Sequence, residues 1–128
     1  MKHLLIFFLA FLALCACSSP TPEEMASLAA KGYYEHLVNG EYDEFLDGKA
    51  GSDSLPDAYR QQLLSGYKQF VSQQNILHNG INEIRVVNAR RDSILNYTNV
   101  FLMLCFGDST NEQVSVPMIE HNGIWRMK

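Results

Sequence analysis

The sequence predicts an α+β domain in which three N-terminal helices pack on one face of a curved, four-stranded antiparallel meander. Three observations lead there. Apolar residues recur at helical spacing up to Asn79. Beyond Gly80 the period changes from 3.6 to 2, the spacing of a half-buried strand. Turn-forming clusters then cut the second half into four strands, ending at His121-Asn122-Gly123, where Asn-Gly supplies the two positive φ angles of a type I′ hairpin turn.

The chain opens with a segment outside that domain. Met1-Lys2-His3 is a short positive start, and residues 4–16 form an apolar run of 13 residues. A membrane-spanning helix needs roughly 20, so the run fits the hydrophobic region of a signal peptide. Its end, Leu14-Cys15-Ala16-Cys17, resembles the bacterial lipobox, in which a leucine and two small residues precede a lipidated cysteine. Ala16 gives Cys17 the small neighbour that pattern requires, whereas Cys15 follows bulky Leu14. The resemblance implies a lipoprotein signal peptide over 1–16, a diacylglyceryl thioether and acylated amino terminus on Cys17, and a lipidated tether over 17–21. Two acyl chains already anchor a protein stably, each buried methylene contributing ~0.8 kcal/mol. Ordinary secretion with cleavage elsewhere is the competing reading. Ser18, where an aspartate would retain a lipoprotein in the inner membrane, resembles lipoproteins sent on to the outer membrane. Both a periplasmic and an external orientation fit, because Glu23 and Glu24 lie farther from Cys17 than in a clear surface-export signal.

Residues 22–128 form the predicted domain. Thr21-Pro22-Glu23-Glu24 is a helix start, with threonine as cap, proline in the first turn and Glu24 placed to close a capping box. Met25, Leu28, Ala29, Gly32, Tyr33, His36 and Leu37 share one face of that helix, and Asn39-Gly40 ends it. Residues 41–46 read as a short, acidic second helix, and 48–53 as a polar loop. The third helix is expected from Ser54, capped by Ser54 or Asp57, with Tyr59, Leu63, Leu64, Tyr67, Phe70 and Val71 on one stripe. Gly32 and Gly66 sit mid-helix, where glycine costs about 1 kcal/mol against alanine, and are expected to mark close contacts. Strands are expected at 81–89, 94–106, 113–120 and 124–127, with turns at 90–93 and 107–111; Arg90-Arg91-Asp92 falls in the first of these turns.

Composition narrows the function. Removal of Lys2 with the leader leaves 9 basic against 14 acidic side chains, a formal charge of −5. That balance argues against nucleic acid, whose affinity comes mainly from Lys and Arg on phosphates. With Cys15 removed and Cys17 lipidated, Cys105 is left as the single thiol, so no intramolecular disulfide is expected. Its apolar sequence neighbours predict a small buried hydrophobe rather than a nucleophile. Gly107-Asp108-Ser109 sits in a hairpin and reads as a turn. His36, His78, His121 and Cys105 lack metal-ligand spacing, and no glycine-rich phosphate loop or other cofactor motif is present. Asn96-Tyr97-Thr98 has the form of a glycosylation sequon, incidental in a bacterial setting.

Tyr33-Tyr34, Leu37, Asn39-Gly40-Glu41-Tyr42 and the closing Asn122-Gly123-Ile124-Trp125-Arg126-Met127 together resemble the nuclear-transport-factor-2-like superfamily, and within it small bacterial lipoproteins of Bacteroidota. The resemblance implies a cone-shaped fold over residues 22–128. It implies no single activity, since the superfamily holds isomerase-like enzymes, dehydratases, ligand binders and interaction modules. Its enzymes place a carboxylate inside the cone, often with Tyr or His. Here the long strand carries no acid or base at its centre, which leaves Tyr34 and His36 as catalytic candidates, with Glu83 and His121 behind them. Tyr33, Tyr67, Tyr97 and Trp125 are the ligand-binding candidates.

The run Val100-Phe101-Leu102-Met103-Leu104-Cys105-Phe106 is apolar on both faces, whereas a sheet with one wet face alternates. Helices cover one face. The other asks for a second subunit, an envelope protein partner, or burial by the curvature of the sheet itself. The expected function is a lipid-anchored, non-catalytic binding module for a small apolar ligand or a protein partner; the alternative is a small isomerase- or hydrolase-like enzyme with a Tyr/His site in the cone.

Overall fold

The computed structural model describes residues 19–128. The predicted signal peptide and Cys17 lie outside the described residues. Three helices, α1 (Pro22–Val38), α2 (Tyr42–Asp47) and α3 (Asp57–His78), precede four strands, β1 (Ile81–Asp92), β2 (Tyr97–Phe106), β3 (Asn111–His121) and β4 (Ile124–Met127). The strands form one antiparallel sheet in the order β1-β2-β3-β4, as the alternation predicts. Among the described residues no helix is long and apolar enough to cross a membrane.

Local chemistry sets the boundaries. The Thr21 hydroxyl accepts the Glu24 N–H at 3.1 Å and starts α1. Asn122 (φ 52°) and Gly123 (φ 80°) make the tight β3–β4 turn. The β1–β2 turn sits three residues later than 90–93, because Asp92 Oδ1 accepts the N–H groups of both Ile94 and Leu95 at 3.0 Å and Asn96 takes a positive φ of 56°. Arg90 and Arg91 therefore lie in β1, opposite Asn99 and Thr98, and not in a turn. Bulges at Ile81/Glu83 and Val86/Asn88 bend that strand. The expected cap of α3 is also displaced. Residues Ser52–Ser54 form a short 3-10 turn, and Pro56 precedes α3 without a side-chain cap.

The core lies between α1, α2 and one face of the sheet. β2 alternates strictly. Thr98, Val100, Leu102, Leu104 and Phe106 are buried, and Tyr97, Asn99, Phe101, Met103 and Cys105 are half-buried on the opposite face. Across the register, Val100 faces Val116 and Thr98 faces Met118, which in turn faces Met127. The α1 face that packs on the sheet is rotated from the expected one: Leu37 is buried and Ala29 and Tyr33 pack against the core as expected. Ala26 and Ala30 are 0 % exposed, whereas Met25 and Leu28 are 41 % and 68 % exposed. The alanines win because a helix packed over a bent sheet needs small residues at its closest approach, where interiors pack without voids.

Other expectations fail for related reasons. A Cβ at Gly32 or Gly66 would meet nothing within 4 Å, so neither is a contact point. The close approach is at Gly48, where a Cβ would collide with the Tyr33 ring. The α3 stripe is only half-buried, and Tyr59 is exposed. Cys105 is half-buried on the outer face of the sheet rather than inside the core.

α3 is held instead at its end. The His78 ring stacks on Phe106 with centroids 4.5 Å apart, and its Nδ1 lies 2.8 Å from Asp108 Oδ2. The Asp108 N–H donates to the His78 carbonyl and the Gly107 N–H to the Gly80 carbonyl. The Thr110 hydroxyl, then the His78 ring and after it the Thr110 N–H, hold the Asp108 carboxyl down at about 2 from its ordinary 3.8. A carboxyl whose folded pKa is depressed stabilises the fold above its unfolded pKa, and that contribution is lost as pH falls from about 4 through about 2. The melting temperature should therefore drop across that window. Asp108→Asn should flatten the drop in circular-dichroism melts between pH 2 and 7; an unchanged profile would show that this clamp does not hold α3.

Candidate functional site

In a meander, alternate turns return to the same end of the sheet, so the β1–β2 and β3–β4 turns are neighbours. They border two adjoining grooves at that end of the sheet, the mouth, the larger lined from the outer face of β3 and β4. The larger, about 480 Å³, runs between Asn96, Ile119, His121, Ile124 and Arg126 and is closed on one side by Ala50 and Gly51. The smaller, about 190 Å³, is lined by Arg91, Tyr97, Thr98, Glu120 and Trp125 and shares Asn96 with the first.

The neighbouring backbone is firmly fixed. The Met127 N–H donates to the Gly48 carbonyl and the Ala50 N–H to the Met127 carbonyl, both at 2.8 Å, so residues 48–50 extend the sheet beyond β4. Arg126 Nη1 donates to the Asp47 carbonyl at 2.6 Å, and Arg91 Nη2 reaches Asn96 Oδ1 at 3.4 Å. Both acceptors are neutral, and among the described residues neither arginine has a carboxylate within ion-pair distance. Lys128 Nζ lies 5.0 Å from the Tyr97 ring centre, in cation–π range. The mouth thus offers cations, aromatic faces and one carboxylate, Glu120. These are suited to gripping a polar or anionic group.

The mouth brings together Tyr97, Trp125 and His121 from among the residues expected from sequence. The rest lie elsewhere. The Tyr33 hydroxyl donates to the Trp125 carbonyl at 2.6 Å and ties α1 to β4. Tyr34 and Tyr67 both meet the Phe45 ring edge-on, at 5.4 and 4.9 Å. Burial raises the pKa of both phenols, and for Tyr67 the nearby Tyr59 and Tyr34 hydroxyls add to it. Among the described residues the buried Tyr67 hydroxyl has no hydrogen-bond partner. His36 lies on the outside of α1, its Nδ1 3.1 Å from Glu41 Oε1. Glu83 pairs on the surface with Arg85, which lowers its pKa. Tyr34 and His36 therefore belong to separate clusters with separate partners.

Where a catalytic carboxylate would stand, inside the cone, the structure has Val100, Leu102, Leu104 and Met118, each at most 1 % exposed. Among the described residues, no three His, Cys, Asp or Glu side chains are grouped to hold a metal ion. The residues missed from sequence are Arg91, Asn96, Glu120 and Arg126. The rule that alternate turns share an end would have grouped them, had the first turn been placed at Asp92–Asn96.

No protein-family model matches the chain, and no curated protein matches it. A solved structure does. A Campylobacter jejuni protein, named provisionally as an NTF2-like transpeptidase, aligns with a TM-score of 0.62 at 12 % identity, over 77 % of this chain and 92 % of its own. The likeness establishes the nuclear-transport-factor-2-like fold and carries no activity with it.

The two inward tyrosines should respond oppositely to loss of their hydroxyls. Tyr33→Phe removes a made hydrogen bond and should cost about 1 kcal/mol, whereas Tyr67→Phe removes an unpartnered buried donor and should be neutral or stabilising. Urea midpoints read both; a destabilised Tyr67→Phe would reveal a partner for that hydroxyl.

Proposed function

We propose that this chain is a lipid-anchored protein of the bacterial envelope, attached through Cys17 to the outer membrane, whose folded domain binds a partner rather than catalysing a reaction. The fold is compatible with a binding module, and the observation that carries the reading is the double character of β2. Its inner row is a filled core without an acid or base, and its outer row presents Phe101, Met103 and Cys105, each half-buried. Across the register lie Glu83, Arg85, Gln113 and Ser115. An apolar centre with a polar rim is the pattern of a protein interface. The partner that fits is a second copy of the chain, sheet face to sheet face, with another envelope protein as the alternative occupant.

A small ligand is the second reading, and the filled interior moves it from the inside of the cone to the mouth, where Tyr97, Trp125 and Arg91 line the smaller groove. The enzyme reading has less support. Tyr34 and His36 do not converge. A transpeptidase needs an activated nucleophile, but Cys105 lies on the outer face while His78 stacks on Phe106, which points to the inner one.

Sedimentation of the detergent-solubilised chain should show a dimer. Met103→Glu should yield a folded monomer, because a buried unpaired carboxylate at the centre of the interface opposes association. A wild-type monomer at high concentration would contradict the second-copy reading.

A further inference from the structure

The tips of the two mouth hairpins have a composition that the groove does not explain. Ile94 and Leu95, at the β1–β2 tip, are 91 % and 57 % exposed, and Ile124, beside the β3–β4 turn, is 51 % exposed. The hydrogen bonds from Ile94 and Leu95 to Asp92 fix this turn, so the two aliphatic side chains are held outward. Ile124 lines the larger groove together with Asn96, which places the two tips side by side. The exposed Arg90 and the groove arginines Arg91 and Arg126 stand on the same end, in a chain whose overall charge is −4. The acids on these two hairpin ends are Asp92, which accepts the N–H groups of the turn, and Glu120; on the adjoining 47–53 segment the Asp47 carboxylate is paired with Arg60, and Asp53 is exposed.

We infer that this end of the sheet is a lipid-facing surface: Ile94, Leu95 and Ile124 enter the headgroup layer of an anionic bilayer, and Arg90, Arg91 and Arg126 meet its phosphates. Aliphatic side chains on a rigid tip gain by leaving water at the interface, and arginines beside them gain from the negative surface potential of anionic lipid. The pairing of exposed aliphatic tips with arginines on both faces of the sheet end favours a bilayer over a protein groove, because a bilayer offers an apolar layer and a continuous plane of phosphates side by side. The inference rests on the anchored reading for its proximity to the membrane: five tether residues, 17–21, extend at most about 18 Å.

The test uses the chain purified from a bacterial envelope and reconstituted in vesicles that contain phosphatidylglycerol and brominated phosphatidylcholine. Flotation is read first, then quenching of a tryptophan introduced by Ile94→Trp, compared with Glu112→Trp at the far end of β3. Trp125 contributes the same background to both variants. The expected result is co-flotation, with the tip tryptophan quenched about three-fold or more over the control, and the difference shrinking when the anionic lipid is omitted. Co-flotation with equal quenching overturns the lipid-facing tip and leaves the anchor standing. A chain that fails to float overturns both.

Discussion

The rest of the structure depends on the close approach of α1 to the inner face of the sheet, chiefly to β1 and next to β2 and β4. Ala26 and Ala30 are fully buried there, against a sheet face built from Val100, Leu102, Leu104 and Met118. Larger residues at those positions would push the helix outward, at a typical cost of 1–3 kcal/mol for overpacking. The seam also decides what the fold can do. With the helix lying directly on the sheet, the space that could form a chamber is occupied by methyl and methylene groups. Tyr33 completes the arrangement, its ring against Gly48 and its hydroxyl on the Trp125 carbonyl, and so ties α1 to the segment after α2 and to β4.

A filled interior shifts function to the exterior. Among the described residues, the surfaces that bear on the proposed function follow from the sheet. The outer row of β2 carries Phe101, Met103 and Cys105, apolar residues that the inner row of the same strand does not require. The mouth grooves exist because alternate turns of the meander meet and are backed by residues 48–50. The far end is closed by the His78–Asp108 clamp, which ties α3 to the β2–β3 turn. α3 itself contributes little core; Ile76 and Leu77 near its end are 81 % and 67 % exposed.

Much of this was legible in the sequence, and the failures have physical causes. Period 2 after Gly80 predicted four strands and their order, and Asn122-Gly123 placed the last hairpin within a residue. The helix face of α1 was misread because hydrophobicity favours Met25 and Leu28, while packing over a bent sheet favours Ala26 and Ala30. The first hairpin turn was misplaced because Arg90-Arg91-Asp92 looks like solvated turn sequence; only the Asp92 side chain, capping the N–H groups two and three residues on, marks the true turn. The mouth went unseen as a site because its polar residues are scattered over the sequence. Tyr97 and Trp125 were expected to bind, but inside the cone rather than at its rim.

The most direct test of the filled interior is native mass spectrometry of the chain taken from its host envelope. The account predicts the mass of the lipidated polypeptide, as one copy or two, with no further small molecule retained. A bound apolar compound that is released only on denaturation, and is still retained by a Tyr97→Ala chain, would contradict it, because a molecule not held in the mouth groove would have to sit where Val100, Leu102, Leu104 and Met118 fill the space.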